Sequence, residues 1–326
     1  MLGFLMEKTI CCSVQSVNVL KKGCRALHNF DRQRRLELFC NEQQRQAAIH
    51  DKKVEKVFWT IENEAGNDPV KVLMNQNIST FHDCMKHISR LKADRMALAY
   101  ANGSYKSVLE KLSGNGRMMP LGYNCQNKNH ANAVNMAYWR SCAFLLGAVV
   151  DQAFAVDVQL VGPSKVDYHS GRFEYIAKIK DLHDWAPNSE NLFALTEKVV
   201  GEYITKALVI EPLFVSLEFA LDLFDSNISK QELLHEIKQE TDNGEQGVII
   251  YRMGDFVDIT YGPLIPCTSH IDKFAVTKVE HENSEYRFIG VSIPKELKCS
   301  SYSWDIICDA SVMPPVKQQK LLKASV

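Results

Sequence analysis

The stretch YWRSCAFLLGAVVDQAF (residues 138–154) places Arg140 in the opening of an otherwise apolar helical run. A guanidinium one helical turn before Phe144 can hold a phosphate or carboxylate. It can equally snorkel to the surface or pair with an acid such as Asp258. Cys142 is a potential nucleophile, but no base stands near it, and a thiol in such a run reads as a buried packing group. Asp255 and Asp258 flank an apolar strand. Residues three apart on a strand face opposite ways, which argues against shared acid–base work. The ten cysteines contain no C-x-x-C pair and the ten histidines no H-E-x-x-H, so neither a metal site nor a disulfide framework is expected. His82 and His87, five apart, do not share a helix face. The chain has no G-x-x-x-x-G-K-[ST] phosphate loop, no G-x-G-x-x-G and no G-x-S-x-G elbow, and no cofactor is expected.

These residues need a scaffold, and 326 residues with 46% hydrophobic side chains fit one large domain or two to three ordinary ones. The apolar run at 138–154 contains Arg140 and Asp151 and reads as a core helix rather than a membrane span. The formal net charge is −1, against a general nucleic-acid sponge. The distribution is uneven: residues 1–53 hold ten Lys/Arg against five Asp/Glu, and the end beyond Asp309 holds Lys317, Lys320 and Lys323 with no acid. Basic ends on a near-neutral body suit arms that touch a polyanion.

Residues 1–30 mix basic and apolar residues without a long apolar core, closer to a mitochondrial presequence than to a secretory signal. Residues 31–53 read as a basic helical arm with a thin apolar stripe at Leu36 and Phe39. Such a helix must lie on a partner or on the body of the protein. Arg32, Arg34, Arg35, Arg45, Lys52 and Lys53 are its candidate nucleic-acid contacts. From Val54, KVFWTIE and VKVLMNQN alternate as strands around AGNDP, STFHDCMKHISRL is a capped helix, and RMALAYANGSYKSV a strand, turn and strand. This is an α+β unit of the β-grasp kind over 54–121. The Asn-rich segment 122–135 reads as a linker. A second α+β unit covers 136–310: the apolar helix, a strand at RFEYIAKI, helices at 186–207, 213–227 and 228–240, a strand pair in GVIIYRMGDFVDITYGPLIP and a hairpin from FAVTKVEHENSEYRFIGVSI. Residues 311–326 form a basic tail.

The order β-grasp unit, RSCAFLLGAVV, TEKVVGEYI, GDFVDITYGPLIP resembles the N-terminal half of threonyl-tRNA synthetases, over about residues 54–295. There a TGS domain precedes an editing domain. The resemblance implies H-x-x-x-H on the first helix of an active editing site and C-x-x-x-H on the second segment. Arg140, Phe144, Thr260 and Leu264 stand at those positions here. Phe144 and Leu264 have no ionisable group, and Thr260 is a weak nucleophile without an activating base, so no route to ester hydrolysis is expected. A chain ending at Val326 is also expected to lack a synthetase catalytic core.

NQNISTFHDCMKHIS, AYWRSCAFLLGAVVDQAF, HDWAPNSENL and RMGDFVDITYGPLIPCTS are similar to a synthetase-derived family of mitochondrial large-subunit ribosomal proteins, over about residues 33–305. This likeness implies a non-catalytic scaffold in the mitochondrial matrix, in contact with mitochondrial ribosomal proteins and large-subunit rRNA. It implies no membrane span and no small-molecule substrate. Two alternatives remain open: a free-standing aminoacyl-tRNA editing hydrolase, and an RNA-binding regulatory module in which Arg140 contacts a phosphate.

Overall fold

The computed structural model describes residues 30–62, 68–154, 156–166, 171–180, 182, 185–240, 247–282 and 284–312. The presequence expected before residue 30 and the tail beyond residue 312 lie outside the described residues. The fold is mixed α+β with three sheets.

The first sheet has five strands in the order β2-β1-β5-β3-β4: β1 (Lys56–Ile61), β2 (Val70–Asn75), β3 (Leu98–Ala101), β4 (Ser104–Lys106) and β5 (Gly116–Leu121). β1 and β5 run parallel at its centre and the other pairs are antiparallel. In β1 the burial alternates strictly, with Val57, Trp59 and Ile61 turned inward. They meet Phe81, Cys84 and Met85 of α2 (Phe81–Lys86) in a core of their own. The single helix expected from STFHDCMKHISRL is two. Ser89 accepts a hydrogen bond from the Lys92 N–H and starts α3 (Arg90–Asp94) afresh. Thr80 and Asp83 form a reciprocal capping box at the start of α2.

Helix α4 (Lys128–Ala153) is the axis of the rest of the molecule. It begins within the segment read as a linker. Asn127 caps it through the Asn129 N–H, so residues 128–135 form its first two turns rather than an extended connection. From Ser141 to Asp151 every residue is buried. The helix is long and apolar enough to cross a membrane by length and composition, but most of its apolar stretch is enclosed by this fold. On one side lies the sheet β11-β12-β7-β6: β6 (Val158–Pro163), β7 (Phe173–Ile179), β11 (Ile271–Glu282) and β12 (Glu285–Pro294). The three-stranded sheet β10-β9-β8 comprises β8 (Ile210–Ser216), β9 (Gly247–Met253) and β10 (Phe256–Ile259). Tyr251, Met253 and Phe256 of this sheet share a core with α4.

Around this frame stand α5 (Ser189–Val199), which runs on through the π-helical turn Val200–Ile204, then α6 (Leu217–Leu223), α7 (Ile228–Glu240) and α8 (Ser301–Val312). Residues 213–216, expected as helix, are the end of β8. Leu213 and Val215 alternate inward there, and the Ser216 hydroxyl caps α6 by accepting from the Phe219 N–H.

Residues 30–51 form α1. It lies on the body of the protein: Phe39 is fully buried among Leu213, Val215, Val248, Ile250 and Val257, which stabilises its docking by about 1.5–3 kcal/mol.

Candidate functional site

Arg140, Phe144, Gly147 and Asp151 are spaced four, three and four apart, so they form one stripe along α4. The segment after β10 crosses the first end of this stripe. The Arg140 guanidinium lies against Gly262, where a Cβ would come within 2.8 Å of Nη1, so only glycine leaves room for it. One residue on, the Ser141 hydroxyl accepts the Ile265 N–H at 2.9 Å and donates to the Ala137 carbonyl at 2.7 Å. Helix and segment are thus stitched together at Ser141.

Phe144 and Leu264 both pack into the core around α4, and Arg140 meets the segment after β10 at Gly262. Phe144 stands edge-on to Phe256 (centroids 5.0 Å apart) and to Tyr251 (6.4 Å). Leu264 is fully buried in the same core. Thr260 is buried, and its hydroxyl has no hydrogen-bond partner among the described residues. Among the described residues, no group hydrogen-bonds to it that could draw off its proton. Burial pulls the Arg140 guanidinium below its ordinary value, and the charges of Tyr251 and Glu240 oppose that pull. Arg140 does not pair with Asp258, because Asp258 is engaged elsewhere. Cys142 is fully buried and its thiol is pushed up to about 12 by burial, which leaves it un-ionised and unreactive at neutral pH.

The second half of the stripe holds a polar cluster that sequence reasoning missed. A Cβ on Gly147 would meet the Tyr175 ring at 2.4 Å, so the ring lies flush on the helix. The Tyr175 hydroxyl donates to Asp258 Oδ2 at 2.5 Å, and Lys230 Nζ donates to that hydroxyl at 3.0 Å while pairing with Asp258 Oδ1 at 2.6 Å. Lys230 and Asp258 are each about 1% exposed. Burial lowers the Lys230 ammonium, and the Asp258 charge and hydrogen bond counter that. Desolvation, followed by the Asp258 charge, lifts the Tyr175 hydroxyl well above its ordinary value. One signal was available. Lys230 precedes Leu233, Leu234 and Ile237 at helical spacing, on the apolar face of α7. Asp255 lies in the turn before β10 and is half exposed, whereas Asp258 is buried within the strand, so the two do not form a carboxylate pair on one strand face.

A cleft of about 330 Å³ opens beside this cluster, lined by Asp31 and Arg35 of α1, Asp151 of α4, Asn227, Lys230 and Asp258 among others. Arg32 reaches over it to Asp255 at 3.2 Å and Asp151 at 3.9 Å. Arg34 pairs with Asp225 at 2.9 Å and Asp222 at 3.6 Å. Arg45 holds Glu42 at 2.6 Å, Lys53 holds Glu55 at 2.8 Å, and Lys52 is exposed. Of the six basic candidates, Arg32 and Arg34 pin α1 to the body, and Arg35 lines a cleft rather than the outer surface.

No protein-family profile matches the chain. The large ribosomal subunit protein mL39 of Drosophila melanogaster is 30% identical over 316 residues, covering 90% of each chain. The chain belongs to the mL39 family of large ribosomal subunit proteins. Threonine–tRNA ligases are similar over a shorter stretch. The probable cytoplasmic enzyme of Dictyostelium discoideum is 28% identical over 70% of this chain and 30% of its own length. The enzyme of Carboxydothermus hydrogenoformans is 25% identical over 70% of this chain and 34% of its own. The chain thus spans about a third of the length of these two ligases.

Proposed function

We propose that this chain is a structural, non-catalytic constituent of the mitochondrial large ribosomal subunit, acting in mitochondrial translation in the matrix. The observation that carries this reading is the likeness to mL39 along nine-tenths of both chains, where the ligases are matched over about a third. The chemistry at the degenerate positions supports it. Phe144 and Leu264 are buried apolar packing groups, and the Thr260 hydroxyl has no hydrogen-bond partner among the described residues. A hydrolase needs a positioned base, and neither Phe144 nor Leu264 carries an ionisable group to supply one.

In this reading residues 54–121 are a TGS-like β-grasp unit, a reading supported by the sheet order with β1 and β5 parallel at the centre and α2 following β2. Residues 136–310 are an inactive editing-like unit. The partners are neighbouring ribosomal proteins and large-subunit rRNA.

The test is sedimentation of the tagged full chain in a gradient of mitochondrial extract. Co-migration with large subunits is the expected result, and recovery only at the top of the gradient would refute the proposal. Incubation with tRNA for threonine mischarged with serine tests the non-catalytic half. Serine release above background, abolished by Thr260→Ala, would favour the hydrolase.

A further inference from the structure

We propose that the outward face of β2-β1-β5 is a platform for an unpaired stretch of RNA, with one base stacked on Phe58. The inference rests on the ribosomal reading and names a contact surface for it. Since Val57, Trp59 and Ile61 point into the core, Lys56, Phe58 and Thr60 point out. Strand register fixes their neighbours. Phe58 stands opposite Leu73, Thr60 is flanked by Lys71 on β2 and Arg117 on β5, and Lys56 stands opposite Asn75. The result is a half-exposed aromatic ring with cations in the rows on either side, each two residues or about 7 Å away. That spacing is on the scale of one nucleotide step in an extended strand.

The partner is indicated by the chemistry. Phe58 is 48% exposed and Leu73 52% exposed, on a strand pair where a soluble sheet would normally carry polar groups. The Lys71 ammonium sits 4.4 Å from the Phe58 ring centroid, and Lys56 Nζ donates to Asn75 at 2.6 Å. Arg117 pairs with Glu62 at 3.4 Å at the edge of this face and stays 78% exposed. A ring set among Lys56, Lys71 and Arg117 suits a base with its flanking phosphates. An apolar peptide would leave those three cations facing it. When a base takes the ring, Lys71 can swing on its flexible stem from the ring to a phosphate. The α1 arginines are less available for this role, since Arg32 and Arg34 are only 22% and 33% exposed in their ion pairs.

The test uses the full chain and a fluorescein-labelled single-stranded RNA of about ten nucleotides, followed by anisotropy at two salt concentrations. Phe58→Ala is expected to weaken binding by about 5- to 150-fold, the range for one base stacked on an aromatic ring. Phe58→Leu should lose as much, and Phe58→Trp should bind at least as well as the natural chain. Lys71→Gln with Arg117→Gln should weaken binding and flatten its salt dependence. Phe58 is half exposed, so its variants should melt like the natural chain. A natural chain that does not bind the strand, or Phe58→Ala and Phe58→Leu variants that bind as well as it does, would overturn the inference. A face that docks a protein would give that result. If the natural chain also co-sediments with large subunits, only this inference falls. If it stays at the top of the gradient, the ribosomal reading falls instead.

Discussion

Lys230 and Asp258 face each other across 2.6 Å in a place that water does not reach. Such a pair costs desolvation on both sides and returns it through attraction and hydrogen bonding, so its net worth is small while the loss of one member is expensive. Lys230→Met leaves a buried carboxylate with only the Tyr175 hydroxyl to serve it and should destabilise the fold by about 3–5 kcal/mol. Lys230→Met with Asp258→Leu should be markedly less destabilised than the sum of the two single changes, as urea unfolding will measure. Simple additivity would contradict the coupling. Asp258 stood out as an acid in an apolar strand, but its partner lies twenty-eight positions away on α7 and is joined only by tertiary packing. Arg140 was legible as an intruder, and Gly262 as part of a tight turn. That the one makes room for the other follows only from the crossing of α4 by the 260–265 segment.

Elements with one strong period were legible, and those whose context overrides local pattern were not. The buried part of α4 was read correctly, but its first two turns are Asn-rich and polar, and asparagine is a weak helix former. A cap at Asn127 and burial of Val134 and Ala137 extend the helix where composition suggested a linker. Strand β8 runs into α6 without a break in hydrophobicity, and only the Ser216 cap divides them. Strand β6 and helix α8 were not anticipated at all. β6 is an edge strand with a register shift between Leu160 and Gly162, and α8 carries exposed Tyr302 and Ile306 that blur its periodicity.

The tightest constraint on α4 is Gly147, whose missing side chain seats Tyr175. Gly147→Ala should push the ring off the helix and cost about 1–3 kcal/mol despite the better helix propensity of alanine. A melting temperature that falls supports this packing, and one that rises would contradict it.

At the scale of the whole molecule, the first sheet keeps a core of its own but joins the core of the α4 body along one side. Ala97, Leu98 and Leu121 of the first sheet region belong to the same apolar cluster as Tyr138, Phe144 and Leu146 of α4. Tyr123 reaches His270 at 3.1 Å across the junction, and Arg95 reaches Glu296 at 3.5 Å. The two halves should therefore unfold together. Amide exchange in β5 and in α4 is expected to lose protection at the same urea concentration, and two separated transitions would contradict a shared core. Helix α1 belongs to this body as well, through Phe39 and the ion pairs of Arg32 and Arg34. What such a molecule offers a ribosome is surface held in fixed relation, with Phe144 of α4 and Leu264 serving the packing.

The most direct measurement of that claim is the amount of this chain in mitochondrial large subunits purified through a high-salt wash, set against a resident large-subunit protein by quantitative mass spectrometry. The account predicts equimolar amounts in the particle and little chain free in the matrix. A chain found mainly free, or lost from the particle in the wash, would contradict it.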